Sequence, residues 1–160
     1  MSVWVDGESV RAAALGIKVE KTAAVAASGS NADLFSIDGG AVEVLELVGV
    51  VETALPADTD LDLDFDPDDG GSDVALASTL VADSDVTGTF YTLNTTFGGA
   101  LVASLDAAAV GLASGNGSIV FSDSGDINLA SSGGGAGGGS IHWYLVYVPL
   151  EVGATVTAAA

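Results

Sequence analysis

Polar and apolar side chains alternate with a period of two along most of this chain. In "DLDLDFD", residues 60–66, the leucines and the phenylalanine point to one side and the four aspartates to the other. This alternation predicts a half-buried β-strand, and Pro67 followed by the turn residues 69–71 predicts its end. We expect the apolar side to face the core and the carboxylates to face solvent.

Short runs of the same kind recur between turn residues. They predict strands at residues 18–25, 33–39, 41–55, 72–81, 87–97, 117–122, 126–130 and 140–150. This pattern predicts an all-β fold, a β-sandwich or jelly-roll-like domain of about eight short strands with Gly-rich loops. Ala-rich runs at 8–15 and 100–113 predict two short helices. We divide the chain into an N-terminal arm with the first strand, residues 1–30, and a β-sandwich domain, residues 31–160.

The alternation changes phase within residues 41–55. Val42 and Val44 share one side, but Leu45 and Leu47 continue on the opposite side. A one-residue slip turns the apolar set outward, and a β-bulge restores it. The sequence therefore predicts a β-bulge near Leu45.

The run 140–150 is apolar on both faces. Such a strand is either central in a sandwich or packed against another subunit. We therefore predict Trp143 and Tyr147 as subunit-interface residues, with Trp4 of the N-terminal arm as a third.

The net charge of the chain limits which classes of partner it can bind. The 160 residues contain 3 Lys plus Arg and 22 Asp plus Glu, a formal net charge of −19. This charge argues against binding to nucleic acid or to an anionic membrane, because both require basic patches. It is compatible with a cationic partner, with bound cations, or with high salt, and the scarcity of Lys favours a salt-adapted source.

Cysteine usage and hydropathy exclude further classes. The absence of Cys excludes disulfides, thiolate zinc sites and cysteine nucleophiles. The sequence has neither a secretory signal nor an apolar run of the length that a membrane helix needs, so we expect a soluble protein that is not exported.

Carboxylates concentrate around the turn that follows the alternating run. The candidate metal ligands are Asp64, Asp66, Asp68, Asp69 and Asp73. Their spacing approximates the opening of a calcium loop, but the glycine comes one residue late and no Glu occupies the closing position. Three interpretations stay open: a solvated or salt-adapted face, a cation site, and an acidic patch for a specific ligand.

The remaining candidates for chemistry are few. His142 is the only histidine and lies within an aromatic strand, where a packed or interfacial role is expected. The Gly run at 131–140 contains GxGxxG, but a strand follows it instead of the helix of a dinucleotide site. We therefore expect no enzymatic activity and no cofactor. The basic residues Arg11, Lys18 and Lys21 leave the first 21 residues near neutral, so this arm could dock on an acidic neighbour or form an ordinary first strand.

Three blocks carry a resemblance to a protein family. They are "LFSIDGGAVEVLELVGVVETAL" (34–55), "GTFYTLNTTF" (88–97) and "SIHWYLVYVPLEVGATVTAA" (140–159). Their order and spacing resemble small virion structural proteins of tailed phages and haloarchaeal tailed viruses. The acidic run at 60–66 departs from the mixed polar residues of those proteins, which fits salt adaptation.

The resemblance implies a virion structural protein without catalytic residues. It implies a capsid decoration, or cement, protein on the head surface, made in the host cytoplasm and forming a homotrimer on the major capsid protein. A tail, baseplate or head-fibre protein is the alternative within the virion. A cation-dependent carbohydrate-binding or adhesin module, using the turn at 64–73, is the alternative outside it.

Overall fold

A computed structural model describes residues 14–26, 29–104, 118–133 and 138–160, together with Gly7 and Arg11. Eleven strands lie in these residues: β1 (Ile17–Ala26), β2 (Ser30–Asp38), β3 (Val42–Thr53), β4 (Asp60–Pro67), β5 (Val74–Val81), β6 (Phe90–Thr92), β7 (Val102–Ser104), β8 (Ile119–Phe121), β9 (Gly125–Ser132), β10 (Gly138–Pro149) and β11 (Thr155–Ala158). No helix within these ranges is long and apolar enough to cross a membrane.

The strands form two antiparallel sheets packed as a sandwich. Sheet A has the order β1-β10-β3-β6-β7, and β8 pairs with β3 beside β6. Sheet B has the order β11-β2-β9-β4-β5. The all-β sandwich predicted from the sequence is therefore confirmed.

The core fills the space between the two sheets. The largest fully buried side chains include Trp143 of β10, Tyr91 of β6, and Leu61 and Leu63 of β4. Each fully buried side chain of this size contributes about 1.5–3 kcal/mol through the apolar surface it removes from water. The rings of Phe65 on β4 and Phe121 on β8 pack edge to face, with their centroids 4.8 Å apart. This contact joins β4 of sheet B to sheet A.

The β-bulge predicted near Leu45 is confirmed. Along the β10–β3 pair, Val146 lies opposite Glu46 and Tyr147 lies opposite Val44, so Leu45 has no partner. Val44 and Leu47 are both buried as a result, although they are three residues apart. The extra residue is the physical reason that the apolar set stays on the core side across the phase change.

The helix predictions have mixed outcomes. Arg11, Ala14 and Leu15 of the run 8–15 have helical backbone geometry. The prediction at 100–113 is wrong at its start, because Val102–Ser104 forms β7 and pairs with β6. Residues 105–113 lie outside the described residues. Pairing with an existing sheet edge overrides the weak helix preference of this run.

Candidate functional site

An acidic face covers the outer side of sheet B. It consists of the outward side chains of β4 and one from β9: Asp60, Asp62, Asp64, Asp66 and Asp126. The alternating apolar residues of β4 are buried against the core, with Leu61 and Leu63 fully so. The orientation predicted for residues 60–66 is therefore confirmed.

Two strands bring carboxylates on the acidic face together. Asp66 lies directly opposite Asp126 in the β4–β9 pair, and Asp64 lies opposite Asn128. Like charges at directly opposed positions destabilise a sheet. Because sheet residues two apart are about 6.6–7 Å from each other, every carboxylate of β4 also repels its neighbour on the same strand.

The surroundings of Asp64 change its proton affinity. Partial burial raises the pKa of Asp64 above its usual value, and a hydrogen bond with Asn128 offsets part of that increase. Repulsion from Asp73, Asp66 and Asp62 raises the pKa further. The folded chain therefore holds this proton more tightly than the unfolded chain, so ionised Asp64 lowers stability at neutral pH.

Replacing Asp64 by asparagine should stabilise the fold at neutral pH. We expect Asp64→Asn to raise the free energy of unfolding by about 0.5 kcal/mol at pH 7, because it removes a partly desolvated charge that solvent already screens. The new amide can also donate to Asn128 Oδ1, which is buried without a partner among the described residues. Urea unfolding at pH 7 and at pH 3 measures the effect.

The pH dependence distinguishes charge from packing in that experiment. Below the ordinary aspartate range Asp64 is protonated in both states, so the gain should disappear at pH 3. Asp60→Asn on the same strand is the matched control, and its gain at pH 7 should be smaller. An equal gain at both pH values would contradict the charge explanation.

The turn after β4 does not assemble the candidate metal ligands into one site. Asp69 Oδ1 accepts a hydrogen bond from the Gly71 amide at 2.8 Å and so closes the turn. Asp64 and Asp66 belong to the extended strand, whereas Asp68 and Asp69 follow in the turn. Among the described residues, no group of three or more His, Asp or Glu side chains is arranged to hold a metal ion.

Calcium should therefore have no specific effect on stability. Calcium requires 6–8 oxygen ligands at 2.3–2.6 Å, which alternate positions of a strand do not supply. We expect CaCl2 to shift Tm no more than NaCl at equal ionic strength, with MgCl2 as a second control. A marked rise in Tm that EDTA reverses would contradict this and support the cation-dependent binding module.

Trp143 and Tyr147, predicted at a subunit interface, are packed inside the chain. Trp143 is fully buried and Tyr147 is 4% exposed, and both point between the two sheets. This corrects the choice of these side chains for contact with a partner: the apolar character of this face of β10 comes from the core. Trp4 lies outside the described residues.

His142 lies on the outer face of sheet A in a polar cluster. Its Nδ1 is 2.7 Å from the Thr22 hydroxyl, and its Nε2 is 3.8 Å from a Glu20 carboxylate oxygen. Its Nδ1 is also 3.5 Å from a carboxylate oxygen of Glu52, and the Tyr144 ring packs against it with centroids 4.5 Å apart. Hydrogen bonding and ring packing thus hold the imidazole on the sheet surface.

The two lysines of β1 make local contacts. Lys18 Nζ is 2.9 Å from a Glu20 carboxylate oxygen. The Lys18 side chain is 59% exposed and the Glu20 side chain is 50% exposed. Lys21 Nζ donates to the backbone oxygen of Ala159 at 2.5 Å, which links the edge of sheet A to the end of the chain. The part of the arm in β1 is therefore a first strand of sheet A, paired with β10.

An apolar groove opens between the edge of sheet B and β8. Two adjoining cavities of about 330 Å³ and 180 Å³ share Leu76, Phe97, Ile119 and Val120 as lining. Phe97 and Val120 are each 59% exposed, which is unusual for apolar side chains that lie together. Asp123 lines the smaller cavity, so one end of the groove carries a negative charge.

Comparisons with known proteins assign the chain to no family. No protein-family model and no curated protein matches the chain. Among solved structures, it is similar to a chain in the structure of infectious bursal disease virus, Gx strain, at 15% identity and a TM-score of 0.28. That match covers 88% of this chain and 36% of the viral chain.

Sequence reasoning did not identify the groove. The alternation predicts a strand at 87–97 that includes Phe97, but the strand there is limited to Phe90–Thr92 and Phe97 follows in a loop. A large aromatic residue next to Gly98-Gly99 was the available signal, since a glycine turn removes it from the regular alternation.

Proposed function

We propose that this protein is a non-enzymatic structural protein of a virus particle, and specifically a capsid decoration protein that stabilises the head lattice. The observation that carries the proposal is where the three blocks with the virion-protein resemblance fall in the fold. Block 34–55 contains the end of β2 and all of β3, block 88–97 contains β6, and block 140–159 contains most of β10 and all of β11. Strands β10, β3 and β6 are neighbours in sheet A.

This adjacency supports the resemblance because the blocks are far apart in sequence. Val48, Gly49 and Val50 of β3 pair with Thr92, Tyr91 and Phe90 of β6 on one side, and with residues of β10 on the other. Motifs that preserve their order and also form one continuous set of paired strands behave as a structural unit. The resemblance therefore concerns three neighbouring strands of sheet A, together with the paired strands β2 and β11 of sheet B, rather than scattered surface residues.

The proposed mechanism is stabilisation by binding. A decoration protein that binds the assembled shell and not its dissociated subunits shifts the equilibrium toward the shell, by an amount that grows with concentration relative to Kd. As a homotrimer on the major capsid protein, it would span several lattice subunits at once. The acidic face would then lie toward solvent, where salt screens its repulsion.

The proposal that the protein is not an enzyme is supported by the setting of His142. The Thr22 hydroxyl lies beside the imidazole on the outer face of sheet A, and carboxylates of Glu20 and Glu52 also approach the ring. The Thr22 hydroxyl oxygen lies 2.7 Å from His142 Nδ1 and 3.4 Å from a Glu52 carboxylate oxygen, so its proton has two alternative acceptors. A nucleophile needs a base and an electrostatic environment that excludes water, and this surface offers contact with solvent.

Mass spectrometry of purified particles tests the proposal. We expect this chain in virions at a fixed copy number relative to the major capsid protein, and cryo-electron microscopy should place it on the outer head surface. Density in the tail, baseplate or head fibre would replace decoration with the other virion role. Absence of the chain from purified particles would overturn a virion function altogether.

A further inference from the structure

Two described aspartates of this chain are followed by a pair of glycines. The segments are Asp38-Gly39-Gly40 and Asp69-Gly70-Gly71. The backbone nitrogen after an aspartate can attack the carboxyl carbon of that aspartate, and glycine, which has no Cβ, leaves this nitrogen unhindered. Because the two segments have the same local sequence, a difference in their reactivity must come largely from how firmly the fold holds each backbone.

The Asp69–Gly70 pair lies in an open turn between β4 and β5. Both residues are exposed, and a Cβ built at Gly70 would meet no atom within 4 Å. Asp69 Oδ1 accepts a hydrogen bond from the Gly71 amide at 2.8 Å, which folds the carboxyl group back over the peptide that joins Asp69 to Gly70. The Gly70 amide donates to the Pro67 backbone oxygen at 3.3 Å, beyond the usual length of such a bond. The backbone therefore has room to rotate until the nitrogen meets the carboxyl carbon.

The Asp38–Gly39 pair, in contrast, is held by neighbouring segments. Asp38 is the last residue of β2 and pairs with Thr155 of β11. A Cβ built at Gly39 would clash with the Gly153 backbone oxygen, so another segment packs closely against this glycine. Rotation of the backbone at Asp38 would disturb both the strand pairing and this contact, whereas rotation at Asp69 disturbs only a turn.

We propose that Asp69 is a site of spontaneous isomerisation to isoaspartate, through a cyclic imide formed with Gly70. The Gly70 nitrogen bonds to Asp69 Cγ, and the hydroxyl of the protonated carboxyl leaves as water with the Gly70 amide proton. Water then adds to the backbone carbonyl carbon of Asp69, and the bond from that carbon to the Gly70 nitrogen breaks, so the chain continues through Cβ and Cγ. Addition of water to Cγ instead restores aspartate. No atom is gained or lost overall, and the only co-reactant is water.

Isomerisation adds one atom to the backbone of this turn and leaves the free carboxylate on the α-carbon. The turn occupies residues 68–73 between the paired strands β4 and β5. An exposed turn of this length absorbs one extra backbone atom at small cost, so we expect the modified chain to stay folded and to accumulate with time. The reaction requires only the folded chain and is independent of the proposed virion role.

Asparagine variants provide the first test, because asparagine forms the same imide and releases ammonia, which changes the mass. Asp69→Asn keeps the side-chain oxygen that accepts from the Gly71 amide, and Asp38→Asn is the matched control with the same following residues. Both folded variants are incubated at neutral pH and followed by peptide mapping with mass spectrometry. We expect position 69 to lose its amide faster than position 38 by about tenfold or more. Asn116–Gly117 can react in the same way, so each mass change is assigned to its own peptide.

Ageing of the native chain provides a second test that needs no substitution. A protease that cleaves before aspartate but not before isoaspartate should lose its cleavage at Asp69 with time and keep its cleavage at Asp38. A methyltransferase specific for isoaspartate should label the peptide that contains position 69.

The same measurement in urea separates the fold from the local sequence. In the unfolded chain both positions should react at similar rates, because the contacts that hold Asp38 are gone. Equal rates at the two positions in the folded chain would overturn the proposal. A preference for position 69 that is as large in urea as in the folded chain would also overturn it, since the sequence and not the turn would then be the cause.

Discussion

Replacing Trp143 by alanine should lower the free energy of unfolding by about 3–5 kcal/mol, the range for truncating a large buried aromatic side chain. Trp143 is fully buried on β10, between β1 and β3 in sheet A, and its ring lies against Gly49 of β3. The cavity that alanine leaves there is enclosed by both sheets, so collapse can fill it only in part. Urea unfolding followed by far-UV circular dichroism measures the loss.

Two controls separate cavity formation from other effects of that substitution. Trp143→Phe should cost clearly less, because it keeps an aromatic ring and removes an indole N–H that has no hydrogen-bond partner among the described residues. Val152→Ala, at an exposed turn position, should have almost no effect. An equal loss in Trp143→Ala and Trp143→Phe would contradict the cavity explanation.

Trp143 contacts Gly49, so substitutions at these two positions should have coupled effects on the free energy of unfolding. A Cβ built at Gly49 would lie 2.9 Å from Trp143 Cζ3, so Gly49→Ala forces the ring to move. We expect that overpacking to cost about 1–3 kcal/mol with Trp143 present. The cost should fall in the Trp143→Phe background, since the smaller ring leaves room for the methyl group.

The second large effect is a rise in stability with salt, by about 2 kcal/mol between dilute buffer and molar NaCl. Neighbouring carboxylates on β4 repel by about 0.6 kcal/mol per pair in water without screening, and the Debye length falls from about 10 Å at 0.1 M to about 3 Å at 1 M. The opposed pair Asp66 and Asp126 adds to this repulsion. Thermal and urea unfolding in NaCl and KCl measure the trend.

Repulsion among the carboxylates of the acidic face should cause part of this rise in folding stability with salt. Asp66→Asn removes one member of the directly opposed pair, so it should stabilise the fold in dilute buffer and reduce the salt dependence. Glu46→Gln, at an exposed position of sheet A, is the matched control for loss of one charge. Equal stability of the native chain in dilute and molar salt would contradict salt adaptation.

Local sequence was sufficient for much of the fold. Alternation in residues 60–66 determined which side chains of β4 are buried, because successive side chains of a strand point to opposite faces. The phase change at residues 42–47 located the β-bulge at Leu45 for the same reason. Such features could be predicted because they depend on neighbours within a few residues.

Other features depended on which strands pair. Residues 102–104 have a composition compatible with a helix, but they form a strand because the edge of β6 is available to pair with them. Strand β11 was not predicted, since four residues with one buried side chain leave too little alternation to detect. Pairing partners far away in sequence decided both.

By itself, then, the sequence determined a two-layered β fold, a negative composition with its neutral stretch at the start, the inward side of β4, and the place where the apolar set of β3 changes phase. The tertiary structure alone decided that Trp143 and Tyr147 pack in the core. It also decided that Leu76, Phe97 and Val120 line an open groove. Backbone alternation is a local property and can be read along the chain, whereas a groove forms where two sheets meet and belongs to no single segment.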